Sequence, residues 1–170
     1  MKEIITNKDN LKENEITEVV KRVKVLLINS NNEILLGYSH HDYQFPGGHV
    51  EENEELIDTV KREVLEETGI KLKVNNIEPF AKKIGYYKDW PEKNKNRKIE
   101  IYYYEIATDE KPNLNNTSYT ENEKEGNFEL RYIHLDKVEE ELEKNIEEYQ
   151  DKKGIGKEML DLLNIYKNER

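Results

Sequence analysis

The stretch Gly47–Ile70, GGHVEENEELIDTVKREVLEETGI, decides the fold of this 170-residue chain. Between Glu54 and Thr68 it has no proline and no internal glycine, and it is rich in Glu, Lys, Arg and Leu, so it predicts a helix. Gly69 ends that helix, because glycine readily adopts the left-handed conformation found just after helices. At about 100° per residue the helix has one apolar side, formed by Leu56, Val60 and Val64.

An acidic strip lies beside that apolar side. Glu63, Glu66 and Glu67 are spaced i, i+3 and i+4, so their carboxylates are neighbours that repel one another. A hard divalent cation with oxygen ligands removes the repulsion, and Mg²⁺ is the usual partner of phosphate substrates. Such a cation polarises a phosphoryl oxygen and lowers the pKa of bound water, while Arg62 braces a glutamate. The alternative is a solvated acidic helix face, in a chain with 38% charged residues.

Two further features precede the helix. Gly47 and Gly48 allow a tight turn and the close approach of a ligand to the backbone. Glu54 is expected near the helix start, where a carboxylate accepts backbone N–H bonds and interacts favourably with the helix dipole. That structural role for Glu54 is as well supported as a catalytic one.

The spacing of these residues resembles the signature of the Nudix hydrolases, which cleave pyrophosphates that link a nucleoside diphosphate to another group. Gly48, five residues, Glu54, seven residues and then residues 62–70 fill every specified position, and Phe45-Pro46-Gly47 lead into it. The resemblance implies an α/β fold, a Nudix-type α/β/α sandwich with a mixed β-sheet. It also implies a Mg²⁺ cofactor, with Mn²⁺ as a substitute.

The resemblance further implies roles for single residues. The backbone carbonyl of Gly47 joins Glu63, Glu66 and Glu67 as a metal ligand, and Glu54 and Arg62 support them. A fourth carboxylate often comes from a loop before the last core strand. Glu125, beside Gly126, is the first choice for it, and the alternatives are Glu121, Glu123 and Glu129.

Composition restricts the class of protein. The net charge of −10 argues against nonspecific binding to nucleic acid, and the lack of cysteine excludes disulfides and thiol chemistry. The N-terminal residues have no apolar signal core, and the apolar runs are too short to span a membrane. A cytoplasmic protein with a single domain is expected, with residues 1–18 as an N-terminal extension and helices in 136–170.

The remaining elements follow from alternation and turn residues. Strands are predicted at 19–28, 33–38, 71–77, 80–87, 98–107 and 130–135, with a polar loop over 108–127. Asp136 and Glu139 suggest a capping box that opens a helix, and a final helix is predicted over 155–166.

The resemblance implies a small nucleotide derivative as the substrate, and the segment 86–98 is the candidate for binding its base and distal phosphates. Tyr87 and Trp90 offer stacking faces and Arg97 offers a cation. A solvated hairpin loop is the competing interpretation. Diadenosine polyphosphate hydrolases of the resembling family often carry a tyrosine near the position of Tyr87. A homodimer is a further expectation, since many relatives are dimers.

Two function classes remain. The first is metal-dependent hydrolysis of a pyrophosphate bond by attack of a metal-activated water on phosphorus. The alternative is a catalytically inactive Nudix-fold module that binds nucleotides or regulates a partner. The intact acidic residues Glu63, Glu66 and Glu67 favour the enzyme.

Overall fold

A mixed seven-stranded sheet forms the centre of the computed structural model, which describes residues 1–168. The strand bounds are Lys2–Thr6 for β1, Glu18–Ile28 for β2, Glu33–Ser39 for β3, Asp42–Gln44 for β4, Ala81–Tyr87 for β5, Arg97–Ala107 for β6 and Glu129–His134 for β7. The strands run in the order β1-β5-β6-β2-β3-β4, and β7 also pairs with β3. Strands β2 and β6 are parallel, as are β1 and β5, while the other pairs are antiparallel.

Helices cover both faces of the sheet. They are α1 at Leu56–Thr68, the short α2 at Glu121–Glu125, α3 at Val138–Tyr149 and α4 at Ile155–Asn168. Alternation along β2 separates two cores, because successive side chains of a strand point to opposite faces. Val23 and Val25 pack with α1, whereas Leu26 and Ile28 pack with α3 and α4. The expected α/β/α sandwich with a mixed sheet is confirmed.

The glycine loop before α1 takes the place of a strand. Strands β2 and β3 pair only at Leu27–Leu35 and Ile28–Ile34, and then separate. In the space that opens, the N–H of Val23 donates to the carbonyl of Gly48 at 3.0 Å, and that of Val25 to Pro46 at 2.8 Å. The loop that leads into α1 is therefore fixed directly to the central strand.

Seven predicted elements lie within two residues of their observed bounds: the strands at 19–28, 33–38, 80–87, 98–107 and 130–135, the helix at 54–68 and the final helix. The strand predicted at 71–77 is wrong, since that segment is irregular. Its apolar residues Leu72, Val74 and Ile77 pack on the core beside α1, without a partner strand within residues 1–168. The loop predicted over 108–127 contains α2 and a 3-10 turn at Leu114–Asn116.

Two details of the chain ends differ from the sequence interpretation. Residues 1–18 contribute β1, which pairs with β5 in parallel, and the beginning of β2. The capping box at Asp136 and Glu139 is wrong, because the N-cap of α3 is Lys137 and no side chain caps it. No helix within residues 1–168 has the length and apolar character that crossing a bilayer requires.

Helix α4 is part of the main core rather than an appendage. Leu163 is fully buried and belongs to the same cluster as β2, β3 and α3. Leu163→Ala is expected to lower the free energy of unfolding by about 2–5 kcal/mol, because it removes buried methyl groups and leaves a cavity. Urea denaturation measures this, with Leu114→Ala, at a 65% exposed position, as the control. An unchanged urea midpoint for Leu163→Ala would mean that α4 folds separately from the sheet.

Candidate active site

Helix α1 begins two residues after Glu54 and is capped at its C-terminus by Gly69, which has a φ of 71°. A Cβ at Gly69 would lie 1.9 Å from the carbonyl oxygen of Asn113, so only glycine fits there. Glu54, predicted as the first helical residue, lies just before the N-cap. Its carboxylate accepts hydrogen bonds from the Thr59 hydroxyl at 2.8 Å and from the N–H of Glu51 at 3.1 Å.

Arg62 connects the acidic residues to one another. Its guanidinium donates to both oxygens of Glu54 at 2.9 Å, to Glu63 at 2.7 Å and to Glu66 at 3.3 Å. It also donates to the carbonyl of His49 at 2.9 Å. These hydrogen bonds lower the pKa of Glu54 to about 2 and raise the pKa of Arg62. One cation thus holds the helix start, the glycine loop and the acidic strip together.

Glu67 is the buried member of the acidic strip, with an exposed fraction of 6%. Burial raises its pKa to about 8; the Lys24 ammonium opposes that rise, while the negative charges of Glu123 and Glu63 add to it. The N–H of Gly47 donates to the Glu67 carboxylate at 3.3 Å. Burial also raises the pKa of Glu63, against the effect of Arg62. A buried carboxyl of this kind is suited to a cation that compensates its charge.

Lys24 of β2 approaches the same place from the opposite side. Its ammonium donates to the carbonyls of Phe45 and Gly47, each at 3.0 Å. Burial lowers the pKa of Lys24, and Glu67 opposes that effect. The Gly47 carbonyl, which the sequence analysis assigned to a metal, therefore has a lysine as its hydrogen-bond donor in this structure.

A cavity of about 590 Å³ collects these groups. It includes the predicted residues Gly47, Arg62, Glu63, Glu66 and Glu67. Sequence reasoning missed several of its other members, which are Arg22, Lys24, Glu51, Ser118, Thr120 and Asn122. A signal for two of them is present, since Arg22 and Lys24 alternate on one face of a strand that is continuously apolar from Val25 to Ile28.

Glu123 of the short helix α2 lines this cavity, while Glu125 of the same helix lines a different cavity with His40 and His41. The reason is helical geometry: residues two apart in α2 point about 200° apart around the helix axis. Glu123 also completes a capping box with Thr120, which directs its carboxylate toward the helix N-terminus. The prediction that Glu125 is a ligand gains no support from its placement.

The aromatic segment after β5 lies outside this cavity. Tyr87 and Trp90 contact each other with ring centroids 5.6 Å apart, and the Arg97 guanidinium lies 4.8 Å over Trp90. Arg97 also forms an ion pair with Glu18 at 2.6 Å. Glu18 lies four residues before the cavity residue Arg22 in β2, so the backbones of these two residues are about 13 Å apart along the strand. No residue of the segment lines the cavity, and its role in substrate binding stays a prediction.

Comparison with known proteins agrees with the geometry. The model of the Nudix domain matches residues 19–152, so the chain belongs to the Nudix family of hydrolases. Members of this family generally use divalent metal ions. An 8-oxo-dGTP diphosphatase of Buchnera aphidicola is 40% identical over 68 residues, which are 39% of this chain and 47% of that protein. The chain thus spans just under half the length of the curated relative that it matches.

Solved structures show the same fold at low identity. A binary complex of the Caenorhabditis elegans Ap4A hydrolase is 18% identical, with a TM-score of 0.53 over 88% of this chain and 96% of that one. A MutT structure, from work on the Aliivibrio salmonicida and Vibrio cholerae proteins, is 16% identical, with a TM-score of 0.47 over 85% and 94% of the two chains. At such identities the likeness concerns the fold alone.

The hydrogen bonds between Arg62 and Glu54 predict how the free energy of unfolding depends on pH. The pKa of Glu54, about 2 instead of 4.5, means that this carboxylate stabilises the fold above its ordinary pKa. That stabilisation is lost as the pH falls from about 4.5 to 2. Arg62→Met is expected to cost about 1.5–3 kcal/mol at pH 7, because charged hydrogen bonds are lost. The difference from the parent should shrink below pH 4.

Urea denaturation at pH 7, 5, 4 and 3 measures this difference. Lys61→Met is the matched control. Lys61 is adjacent to Arg62 on α1, and its ion pair with Asp58 is long, at 4.0 Å. A loss for Arg62→Met that stayed constant from pH 7 to 3 would show that its guanidinium stabilises the fold by packing rather than by charge.

Proposed function

We propose that this protein hydrolyses the pyrophosphate bond of a nucleoside diphosphate derivative and that it needs a divalent cation to do so. The observation that carries the proposal is the gathering of Gly47, Arg62, Glu63, Glu66 and Glu67 around one cavity. A nucleoside triphosphate or a dinucleoside polyphosphate is the favoured substrate. The similar proteins named 8-oxo-dGTP diphosphatase and Ap4A hydrolase support that choice.

The donor set fits a hard divalent cation such as Mg²⁺, or Mn²⁺ in its place. Carboxylate and carbonyl oxygens are the ligands that such cations prefer, and burial raises the pKa of the Glu67 carboxyl although the Lys24 ammonium opposes that rise. Within residues 1–168, however, no three acidic or histidine side chains converge on one point. Glu63 and Glu66 are paired with Arg62, so coordination requires these carboxylates to turn from the guanidinium into the cavity.

The protein's own groups define how the reaction is supported. Glu63, Glu66 and Glu67 would hold the cation, which would stabilise negative charge on the phosphate oxygens and lower the pKa of a water molecule. Attack of that water on phosphorus would break the bridging P–O bond, whose oxygen leaves with the departing phosphate group, and a cavity carboxylate would take the proton from the water. Arg62, held by Glu54, keeps Glu63 and Glu66 in position. Lys24 fixes the carbonyl of Gly47.

A binding module without turnover is the second candidate. In such a module we would expect one or more acids of the strip to be replaced. Glu63, Glu66 and Glu67 are all present, which favours the enzyme. A hydrolysis screen with nucleoside triphosphates, dinucleoside polyphosphates, ADP-ribose, nucleotide sugars and coenzyme A, with the products separated by ion-exchange chromatography, decides between the two. Tight nucleotide binding without cleavage of any compound would favour the module. Cytoplasmic location, a single domain and a homodimer remain proposals, as does the absence of a nucleic-acid partner.

Turnover is expected to stop in excess chelator and to return with Mg²⁺ or Mn²⁺. Glu66→Gln is expected to lower kcat about 10²–10⁴-fold, because a positioned charge or proton acceptor is lost. Glu55→Gln is the matched control, because Glu55 is exposed at the N-cap of the same helix and makes no side-chain capping bond. Undiminished turnover in chelator, or normal activity and metal affinity for Glu66→Gln, would contradict the proposal.

Glu123 is proposed as the fourth carboxylate in place of Glu125. Glu123→Gln is expected to lower kcat about 10-fold or more, since a charge within the cavity disappears while glutamine still completes the capping box with Thr120. Glu125→Gln is expected to change kcat less than twofold. Steady-state kinetics of both variants with the same substrate measure this. A larger loss of kcat for Glu125→Gln than for Glu123→Gln would indicate Glu125 as the fourth carboxylate.

A further inference from the structure

The cavity is lined by acidic and by basic residues that come largely from different elements. Its carboxylates belong to the loop before α1, to α1 and to α2, while Arg22 and Lys24 of β2 form what we call its basic wall. These two residues are two positions apart in a strand, so both side chains lie on the same face of the sheet. The basic wall belongs to the central strand and not to the segment 86–98, where the sequence analysis expected the phosphate-binding cations.

The cations of the cavity differ in how far they are already neutralised. Arg62 is bound by Glu54, Glu63 and Glu66. Lys24 donates to two backbone carbonyls and lies beside Glu67. These two cations have structural partners and little capacity left for a substrate anion.

Arg22 is different, because it forms no ion pair with any acidic group of residues 1–168 and lines a cavity rich in glutamate. Its Nε–H donates to Nε2 of His49 at 3.1 Å, and the backbones of the two residues form an isolated bridge. This hydrogen bond fixes the guanidinium by its Nε edge. The two terminal NH₂ groups make no hydrogen bond to the part of the chain that the structure describes, so they remain for a ligand.

A guanidinium held at one edge, with its outer donors unused, has the geometry for binding phosphate oxygens through two parallel hydrogen bonds. We propose that Arg22 binds a second phosphate group of the substrate, and that His49 orients the Arg22 side chain. This second phosphate lies next to the one that would bind the cation at the glutamates. This inference rests on the proposed hydrolysis of a pyrophosphate bond. According to this inference, Arg22 of β2, which lies outside the glycine loop and α1, distinguishes diphosphates from monophosphates.

The test measures binding of methylenediphosphonate, a diphosphate analogue that is not hydrolysed, and of inorganic phosphate. Both are titrated by calorimetry into the full-length protein with Mg²⁺. Arg22→Ala and Arg22→Gln are expected to weaken diphosphonate binding about 10–100-fold, the range of a charged hydrogen-bonded contact. Binding of inorganic phosphate is expected to change less than threefold, and Mn²⁺ affinity, measured by electron paramagnetic resonance, not at all.

Two controls make the outcome specific. Lys21→Ala removes the same charge from the same strand at an exposed position outside the cavity, and is expected to change binding less than twofold. His49→Ala keeps the charge of Arg22 and is expected to weaken diphosphonate binding about 3–10-fold, because the guanidinium loses its fixed orientation. The urea midpoint of each variant confirms that it is folded, and Arg22→Gln serves if Arg22→Ala is not.

Diphosphonate binding by Arg22→Ala or Arg22→Gln within twofold of the parent would overturn the proposal. An equal loss of mono- and diphosphate binding would overturn it as well, since Arg22 would then act only through general attraction. Failure of the hydrolase proposal looks different. In that case the parent protein cleaves the pyrophosphate bond of no nucleotide in the screen, whatever the effect of Arg22 on the diphosphonate.

Discussion

The site depends on the close approach of the glycine loop to the central strand. Gly47 has a φ of 138°, and a Cβ there would lie 2.2 Å from the carbonyl oxygen of Val23. No residue with a side chain fits without moving the backbone of β2. Because the loop lies so close, Gly48 accepts a hydrogen bond from Val23, and the Gly47 N–H reaches Glu67. The backbone of the loop thereby becomes one wall of the cavity.

The second constraint is electrostatic. The α1 strip brings three carboxylates together and buries one of them, which opposes folding unless positive charge is supplied. Arg62 supplies it from within the helix, and Lys24 supplies it from β2. Both cations hold the acids in place and so keep a set of oxygen donors ready that would otherwise repel one another. The same balance explains why the carboxylates do not converge on a point in this structure.

The contrast between Glu123 and Glu125 shows how finely the late segment is placed. Both are acids of one short loop in the sequence, and the proximity of Glu125 to Gly126 made it the first choice. Once residues 121–125 form a helical turn, the two side chains point to different sides, and the capping box fixes which one faces the cavity. The backbone conformation of five residues therefore decides which acid joins the others.

The sequence by itself determined the family, the helix α1 with its acidic strip, the glycine turn and the main strands. Those features depend on local spacing: helix periodicity places Glu63, Glu66 and Glu67 together, and strand alternation marks β2 and β6. Only the tertiary structure decided which distant residues join them. Arg22 and Lys24 reach the cavity because β3 leaves β2 and the glycine loop replaces it. Leu72 and Val74 alternate like a strand but find no partner, because pairing depends on long-range contacts that local alternation does not encode.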